Sequence, residues 1–314
     1  LLAVVLCASA TLAVADDKLR VALLHKGSYL DFWDDMHAGA RATAAELGVE
    51  LLFDGPPYSD NAPAQIKLVN RAVESGIDAL LLVPTDRAAL EEPVKKAVAR
   101  GVKVVIVDSE LNGSSYSAFV GTDNVAAGRI AAQKLASLLG GQGKLAMIRL
   151  IQGSGSTEAR ARGFRAEIER HPKLRLVEDA LGGALEGAAF RVAKEVLGKH
   201  PDLAGIFCVN ESTTKGALLA LRDARRKGVR FVGFDSNPEL LEGVRSKEID
   251  ALLVQDPAAM GAHAVRLAVD AISGKPSPRQ LHTAIKLMTL ENLAQPKAKA
   301  APAPGTIEAS KRHD

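Results

Sequence analysis

Aromatic residues are scarce in this chain of 314 residues: eight phenylalanines, three tyrosines and one tryptophan make up 4% of it. So few rings leave no spread of stacking platforms of the kind that holds single-stranded nucleic acid. Cysteine is scarcer still. Cys7 and Cys208 are the only two, so residues 16–294 hold a single thiol and no disulfide can form within them. A chain of this length builds an adequate core without one. Cys208 lies in the apolar run from Gly205 to Val209 and reads as a small buried hydrophobe. The seven histidines show no metal-ligand spacing, and one cysteine cannot make a thiolate zinc site. The G-x-S-x-G elbow and the Walker loop are also missing. One stretch, Gly153-Ser154-Gly155-Ser156-Thr157, has the look of an anion-binding loop, but Glu158 stands where a dinucleotide fingerprint carries its third glycine. It reads as a Gly-rich strand-to-helix turn, with Ser156 or Thr157 capping the helix and Glu158 in the first turn.

What is present is an ordinary globular composition, 47% hydrophobic and 25% charged, long enough for two domains. Residues 1–15 are uncharged and mostly apolar, and Ala13 and Ala15 form an A-x-A pattern. They read as the tail of a secretory signal peptide, so the mature protein is expected to be exported. Leu6 before Cys7 is too large for a usual lipoprotein site. Residues 295–314 are rich in Ala, Pro and Lys without periodicity and read as a disordered tail. That tail carries Lys297, Lys299, Lys311 and Arg312 against Glu308 and Asp314, most of the formal net charge of +3. The folded body is therefore near neutral, which gives no argument for nucleic-acid binding.

From Leu19 onward, runs of Val, Ile and Leu alternate with amphipathic stretches. Strands are expected at 19–24, 49–53, 79–83, 102–107, 145–150, 174–177, 205–209, 231–234 and 251–254. Helices are expected at 33–47, 62–75, 88–100, 125–139, 159–170 and 213–226, among others. Nearly continuous apolar strands alternating with helices imply parallel sheets covered on both faces. The chain also contains a diverged repeat: Arg100 to Ser109 and Lys227 to Ser236 both run helix end, glycine, strand, Asp-Ser. Two similar α/β lobes explain it, with Asp108 and Asp235 at corresponding sheet edges. Ligands of open parallel sheets bind beyond the carboxyl ends of the strands.

The side chains expected at those edges are hydrogen bonders: Asp108, Ser109, Arg160, Asn210, Asp235 and Gln255. Such a set suits a neutral polyhydroxylated ligand, whose hydroxyls both donate and accept. Three of the twelve rings, Tyr29, Phe32 and Trp33, cluster after the first strand. Phe32 or Trp33 is expected to cover an apolar sugar face, and Lys26 stands at the same strand end. Blander readings exist for each: helix caps for the two aspartates, a solvated arginine for Arg160, a turn for Asn210, core packing for the rings.

Together these residues resemble the periplasmic sugar-binding proteins of ABC importers, of the ribose-binding type. The resemblance runs over most of residues 19–293. It rests on Asp31-Phe32-Trp33 with Ala38-Gly39-Ala40, Gly121-Thr122-Asp123-Asn124, Glu158-Ala159-Arg160, Val209-Asn210-Glu211, Val232 to Asp235, and Val254-Gln255-Asp256. It implies two Rossmann-like lobes joined by three hinge strands, with crossings near Thr122, Gln255 and Leu281. The implied boundaries are 16–122 plus 256–281 for the first lobe and 123–255 plus 282–294 for the second. It also implies a monosaccharide or related polyol as ligand, an ABC permease as partner, a monomeric periplasmic protein, and neither catalysis, cofactor nor metal. Ribose binders carry Asp-Arg where this chain has Asp108-Ser109, and Asn-Pro where it has Leu30-Asp31. Lys26, Asp54-Gly55-Pro56 and Asp108-Ser109 instead resemble the autoinducer and rhamnose binders. A sensory protein feeding a chemoreceptor or histidine kinase is the alternative. A lactose-repressor-type regulator would need a DNA-binding headpiece before the first strand, where only about 18 signal-like residues stand.

Overall fold

The computed structural model describes residues 18–27 and 30–293. The expected signal segment with Cys7, the expected tail, and Tyr29 lie outside the described residues.

The strands are β1 (Arg20–Leu24), β2 (Glu50–Asp54), β3 (Ala79–Leu82), β4 (Lys103–Val107), β5 (Ala118–Thr122), β6 (Gln142–Arg149), β7 (Lys173–Leu181), β8 (Leu203–Cys208), β9 (Arg230–Phe234), β10 (Ala251–Val254), β11 (Gln280–Thr283) and β12 (Lys286–Met288). The helices are α1 (Asp31–Leu47), α2 (Ala62–Glu74), α3 (Glu91–Ala99), α4 (Asn124–Leu138), α5 (Gly155–Ile168), α6 (Glu186–Lys199), α7 (Glu211–Asp223), α8 (Pro238–Arg245), α9 (Pro257–Ile272) and α10 (Leu290–Leu293). Polar caps start many of them. Asn61, Asp123, Asn237 and Asp256 each accept a backbone N–H of the first turn at 2.9–3.0 Å.

Two six-stranded sheets result, in the orders β2-β1-β3-β4-β5-β11 and β7-β6-β8-β9-β10-β12. All pairings are parallel except β10 with β12. The sheets are two copies of one pattern, and the two Asp-Ser repeats end the equivalent strands β4 and β9. The chain passes from the first sheet to the second after β5, returns after β10 through α9, and passes back between β11 and β12. Each sheet is apolar on both faces because helices cover both. Trp33, Met36 and Met260 fill one face of the first sheet, and Leu68, Leu90 and Val94 the other. Phe164 and Phe207 lie on one face of the second, and Leu218 and Phe231 on the other.

Close helix packing repeats in both lobes. A Cβ at Gly39 would collide with the Ala258 carbonyl, and one at Gly163 with the Val125 carbonyl. Thus α1 lies on α9 and α5 on α4 at backbone contact. These pairs set where the first turns of α1 and α5 stand, and those turns line the cleft between the lobes.

Strands β5, β11 and β12 were not expected from the residues. β5 contains a glycine, while β11 and β12 are short, partly polar edge strands. Their pairing is imposed by neighbours rather than by their own hydrophobic pattern.

Candidate functional site

The carboxyl ends of both sheets face one cavity between the lobes. Lys26, Phe32, Trp33 and Asp108 line it from the first lobe; Arg160, Asn210, Asp235 and Gln255 line it from the second lobe and the hinge. Eight of the nine expected site residues therefore meet at one place. The ninth, Ser109, lies just behind and accepts from Lys26 Nζ at 3.1 Å.

The two aspartates are conformational twins. Asp108 has φ of 59° and Asp235 of 66°. Aspartate tolerates this left-handed region better than most residues. Each N–H bonds the next strand, Asp108 to Val120 O at 2.8 Å and Asp235 to Leu253 O at 2.7 Å. The kink turns each carboxylate off the sheet edge and into the cleft. Neither stands at the N-cap position of a helix, although Asp235 takes the first N–H of α7 from across the sheet edge.

Their partners differ. Asp108 pairs with the Lys26 ammonium at 3.1 Å, both side chains being almost fully buried. Asp235 accepts from Gln255 Nε2 at 2.7 Å and from the Glu211 N–H at 3.0 Å. Burial pushes the Asp235 carboxyl above its ordinary value, against the opposing pull of the Arg160 charge and the Gln255 bond. Gln255 also accepts from Thr122 Oγ1 at 2.7 Å. It thereby joins the ends of β5 and β10, where the chain changes lobes.

Arg160 is 2% exposed. Its Nε donates to Asn124 Oδ1 at 2.9 Å and its Nη1 to Val209 O at 2.8 Å. The guanidinium carbon lies over the Phe234 ring, 3.7 Å from its centroid. A guanidinium carries five N–H donors, so three stay without an acceptor among the described residues. Asn210 stands at the N-cap of α7 rather than in a plain turn, with its Oδ1 accepting from Thr213 at 2.7 Å and its Nδ2 donating to Ser212 at 3.0 Å. One Nδ2 hydrogen is left over.

The rings occupy the other wall. Trp33 is part of the first core yet reaches the cavity. Phe32 meets it edge-on at a centroid distance of 4.9 Å, and His25 stacks behind it at 5.6 Å. The Trp33 Nε1–H has no acceptor among the described residues. His25 is buried, and burial holds its pKa below the ordinary 6.5. Its Nδ1 accepts from the Gly27 N–H at 3.2 Å, shaping the loop that carries Lys26.

Several contributors escaped the sequence reading. Buried Gln65 ties His25 O at 3.1 Å, Val83 O at 2.7 Å and the Thr85 N–H at 2.8 Å, joining the ends of β1 and β3. Asn124, inside a quoted motif, orients Arg160. Ser156 and Thr157 do not cap α5. The helix begins at Gly155 with Ser154 before it, and both side chains border the cavity. Glu158 is in the first turn, as expected, and accepts from the Gly153 N–H at 2.9 Å. Ser59 also lines the cavity and has no sequence signal beyond its turn-rich surroundings.

Two buried cations and two buried aspartates line a cavity of balanced charge. Comparison with known proteins agrees with this chemistry. A family model for the periplasmic binding protein domain matches residues 21–276. The D-allose-binding periplasmic protein of Escherichia coli (strain K12) is 30% identical over 267 residues, which cover 82% of this chain and 86% of that protein. Among solved structures, the periplasmic component of an ABC-type sugar transport system from Hahella chejuensis is 35% identical with a TM-score of 0.84, covering 86% of this chain and 99% of that one. An ABC transporter solute binding protein from Agrobacterium vitis with bound D-fucose is 32% identical with a TM-score of 0.86, covering 89% and 98%.

Proposed function

Since this chain belongs to the periplasmic binding protein family, we propose that it captures a monosaccharide, a pentose, hexose or related polyol, between its lobes and delivers it to an ABC permease. One observation carries the reading: unfilled donors of Arg160 and Asn210 and the carboxylates of Asp108 and Asp235 converge on a charge-balanced cavity walled by Phe32 and Trp33. A sugar ring offers the complement, hydroxyls around an edge and apolar C–H faces. The hydroxyls take up the free donors and lone pairs, and the faces lie on the rings. The protein works as a monomer in the periplasm and returns its ligand unchanged.

Capture is a hinge event. The ligand first meets the second lobe, where most unfilled donors stand. Closure brings the rings and Asp108 over it, because a ligand touching both lobes favours the form in which both touch. Buried donors left unpaired by a wrong sugar cost about 1–3 kcal/mol each, which gives selectivity. The Gln255–Thr122 bond sits at the pivot and couples the Asp235 carboxylate to hinge geometry.

The test is a thermal-shift panel of D-ribose, D-allose, D-arabinose, D-fucose and acyclic polyols, followed by calorimetry. A cognate sugar at 100–1,000 times its Kd adds roughly 3–4 kcal/mol of stability. Arg160→Ala removes the effect. A panel without any shift overturns the reading.

A further inference from the structure

The Gly153–Ser156 segment, singled out in the sequence but given no role by the sugar site, lies directly against the other lobe. Gly153 O accepts from the Arg87 N–H at 2.9 Å. A Cβ on Gly155 would stand 2.5 Å from Glu110 O, and its three nearest atoms would all belong to Glu110. Ser156 Oγ receives Lys26 Nζ at 3.2 Å and Ser109 Oγ at 3.1 Å, and the Ser156 N–H donates back to Ser109 Oγ at 3.1 Å. Arg87, Glu110, Lys26 and Ser109 belong to the first lobe; the segment belongs to the second.

Lys26 is the centre of this contact. An ammonium has three N–H donors and no acceptor. Three oxygens surround it within 3.2 Å: Asp108 Oδ2, Ser109 Oγ and Ser156 Oγ. Its donors are used up by the protein itself. Ser109 and Ser156 are likewise buried and bonded to each other.

We propose that Gly153–Ser156 is a closing strip, and that Lys26 and Ser109 hold it as a latch between the lobes instead of reading the sugar. The proposal rests on the sugar-capture reading for its ligand but not for its geometry. Part of the closure energy is then independent of ligand identity. The strip raises affinity for every sugar by the same factor, while Arg160, Asn210 and Asp235 select among them. The two glycines keep the strip flat enough to reach the other backbone, and Ser156 supplies the hydroxyl that an ammonium and a second serine can share. Ser156 is thus a positioning residue.

Gly155→Ala tests it. Gly155 does not adopt positive φ, so alanine fits the start of α5, and the three atoms nearest the added methyl all belong to the opposite lobe. The expected result is a larger radius of gyration in ligand-free small-angle scattering. Affinities for D-ribose, D-allose, D-arabinose and D-fucose should fall by a common factor, about tenfold or more, with their ratios unchanged. Ser156→Ala, which leaves the backbone alone, should lower all four by roughly tenfold or more, the effect of losing the neutral bond to Ser109 and the charge-assisted bond from the Lys26 ammonium. It also serves if Gly155→Ala melts early. Unchanged scattering and affinities in both variants overturn the strip. So does a change in the ratios among sugars, because the residues then touch the ligand. If no sugar binds the parent protein, the sugar reading fails, and ligand-free scattering alone decides the strip.

Discussion

The two lobes present the same strand order and the same left-handed aspartate at the end of the fourth strand, yet they use it differently. In the first lobe Asp108 is neutralised by its own Lys26 at 3.1 Å, and the remaining wall is aromatic. In the second, Asp235 has only neutral hydrogen-bond partners, Gln255 and a backbone N–H, and Arg160 faces the same space. One repeat has become a lid whose aspartate and lysine satisfy each other; the other keeps unspent hydrogen-bonding capacity. Duplication supplied the frame, and the partner of each aspartate decided which half grips and which half covers.

The sharpest way to break this comparison is the pair Asp235→Asn and Asp108→Asn. Asparagine keeps the positive φ, so backbone strain is equal in both. Asp235→Asn should weaken sugar binding by about 2–3 kcal/mol, roughly 30–150-fold, because its bonds to ligand are charge-assisted. Its melting temperature should change little. Asp108→Asn strands the buried Lys26 cation and should cost about 3 kcal/mol of stability, seen as a melting point several degrees lower. Calorimetry and thermal melts on both variants decide it; indistinguishable profiles would erase the distinction between grip and lid.

A second contrast is pH. Glu211 opens α7 in the second lobe with Oε2 buried and unpartnered among the described residues. Its carboxyl is pushed up to about 7, first by burial and then by the nearby charges of Asp235 and of Asp31 from the other lobe, against the Asn237 hydrogen bond and Lys215. Since this lies above the ordinary 4.5, its contribution to stability is complete below about pH 4.5 and is lost as pH rises to about 7. His25 in the first lobe has the opposite sign. Its depressed value makes its contribution complete above pH 6.5 and lost as pH falls through the folded value. Urea titrations at pH 5 and pH 8 should show the parent losing, relative to Glu211→Gln, at most about 3 kcal/mol on going to pH 8. His25→Phe should flatten only the acid side. Parallel pH profiles for parent and Glu211→Gln would remove the buried carboxyl from the account.

The smallest expected effect is spectroscopic. Trp33 is the chain's single tryptophan and lies in the first-lobe wall. Saturating sugar should shift its emission by a few nanometres, with Phe32→Ala reducing the shift. Emission that stays fixed during a titration in which calorimetry shows binding would detach the lid rings from the ligand.

Legibility followed the physics. The β4 and β9 repeat was visible because two-faced burial forces continuous apolar runs, and because a strand end in the left-handed region favours Asp over bulkier residues. Arg160, Asn210 and Gln255 were visible from residue chemistry and family resemblance together. Gln65 was not visible, since one glutamine in an amphipathic helix has no pattern, and only the fold brings β1 and β3 ends within its reach. Ser156 looked like a helix cap because serine near a helix start usually is one; the opposite lobe offered it a stronger partner.

Local periodicity and residue type therefore determined, without any tertiary information, that this chain makes two α/β lobes and that polar residues gather at their strand ends. Tertiary structure alone decided which of those residues are spent on each other. The bonds of Lys26 with Ser156 and of Thr122 with Gln255, between partners more than a hundred positions apart, exist only once the lobes face one another. A donor's availability to a ligand is what the rest of the protein has left unpaired.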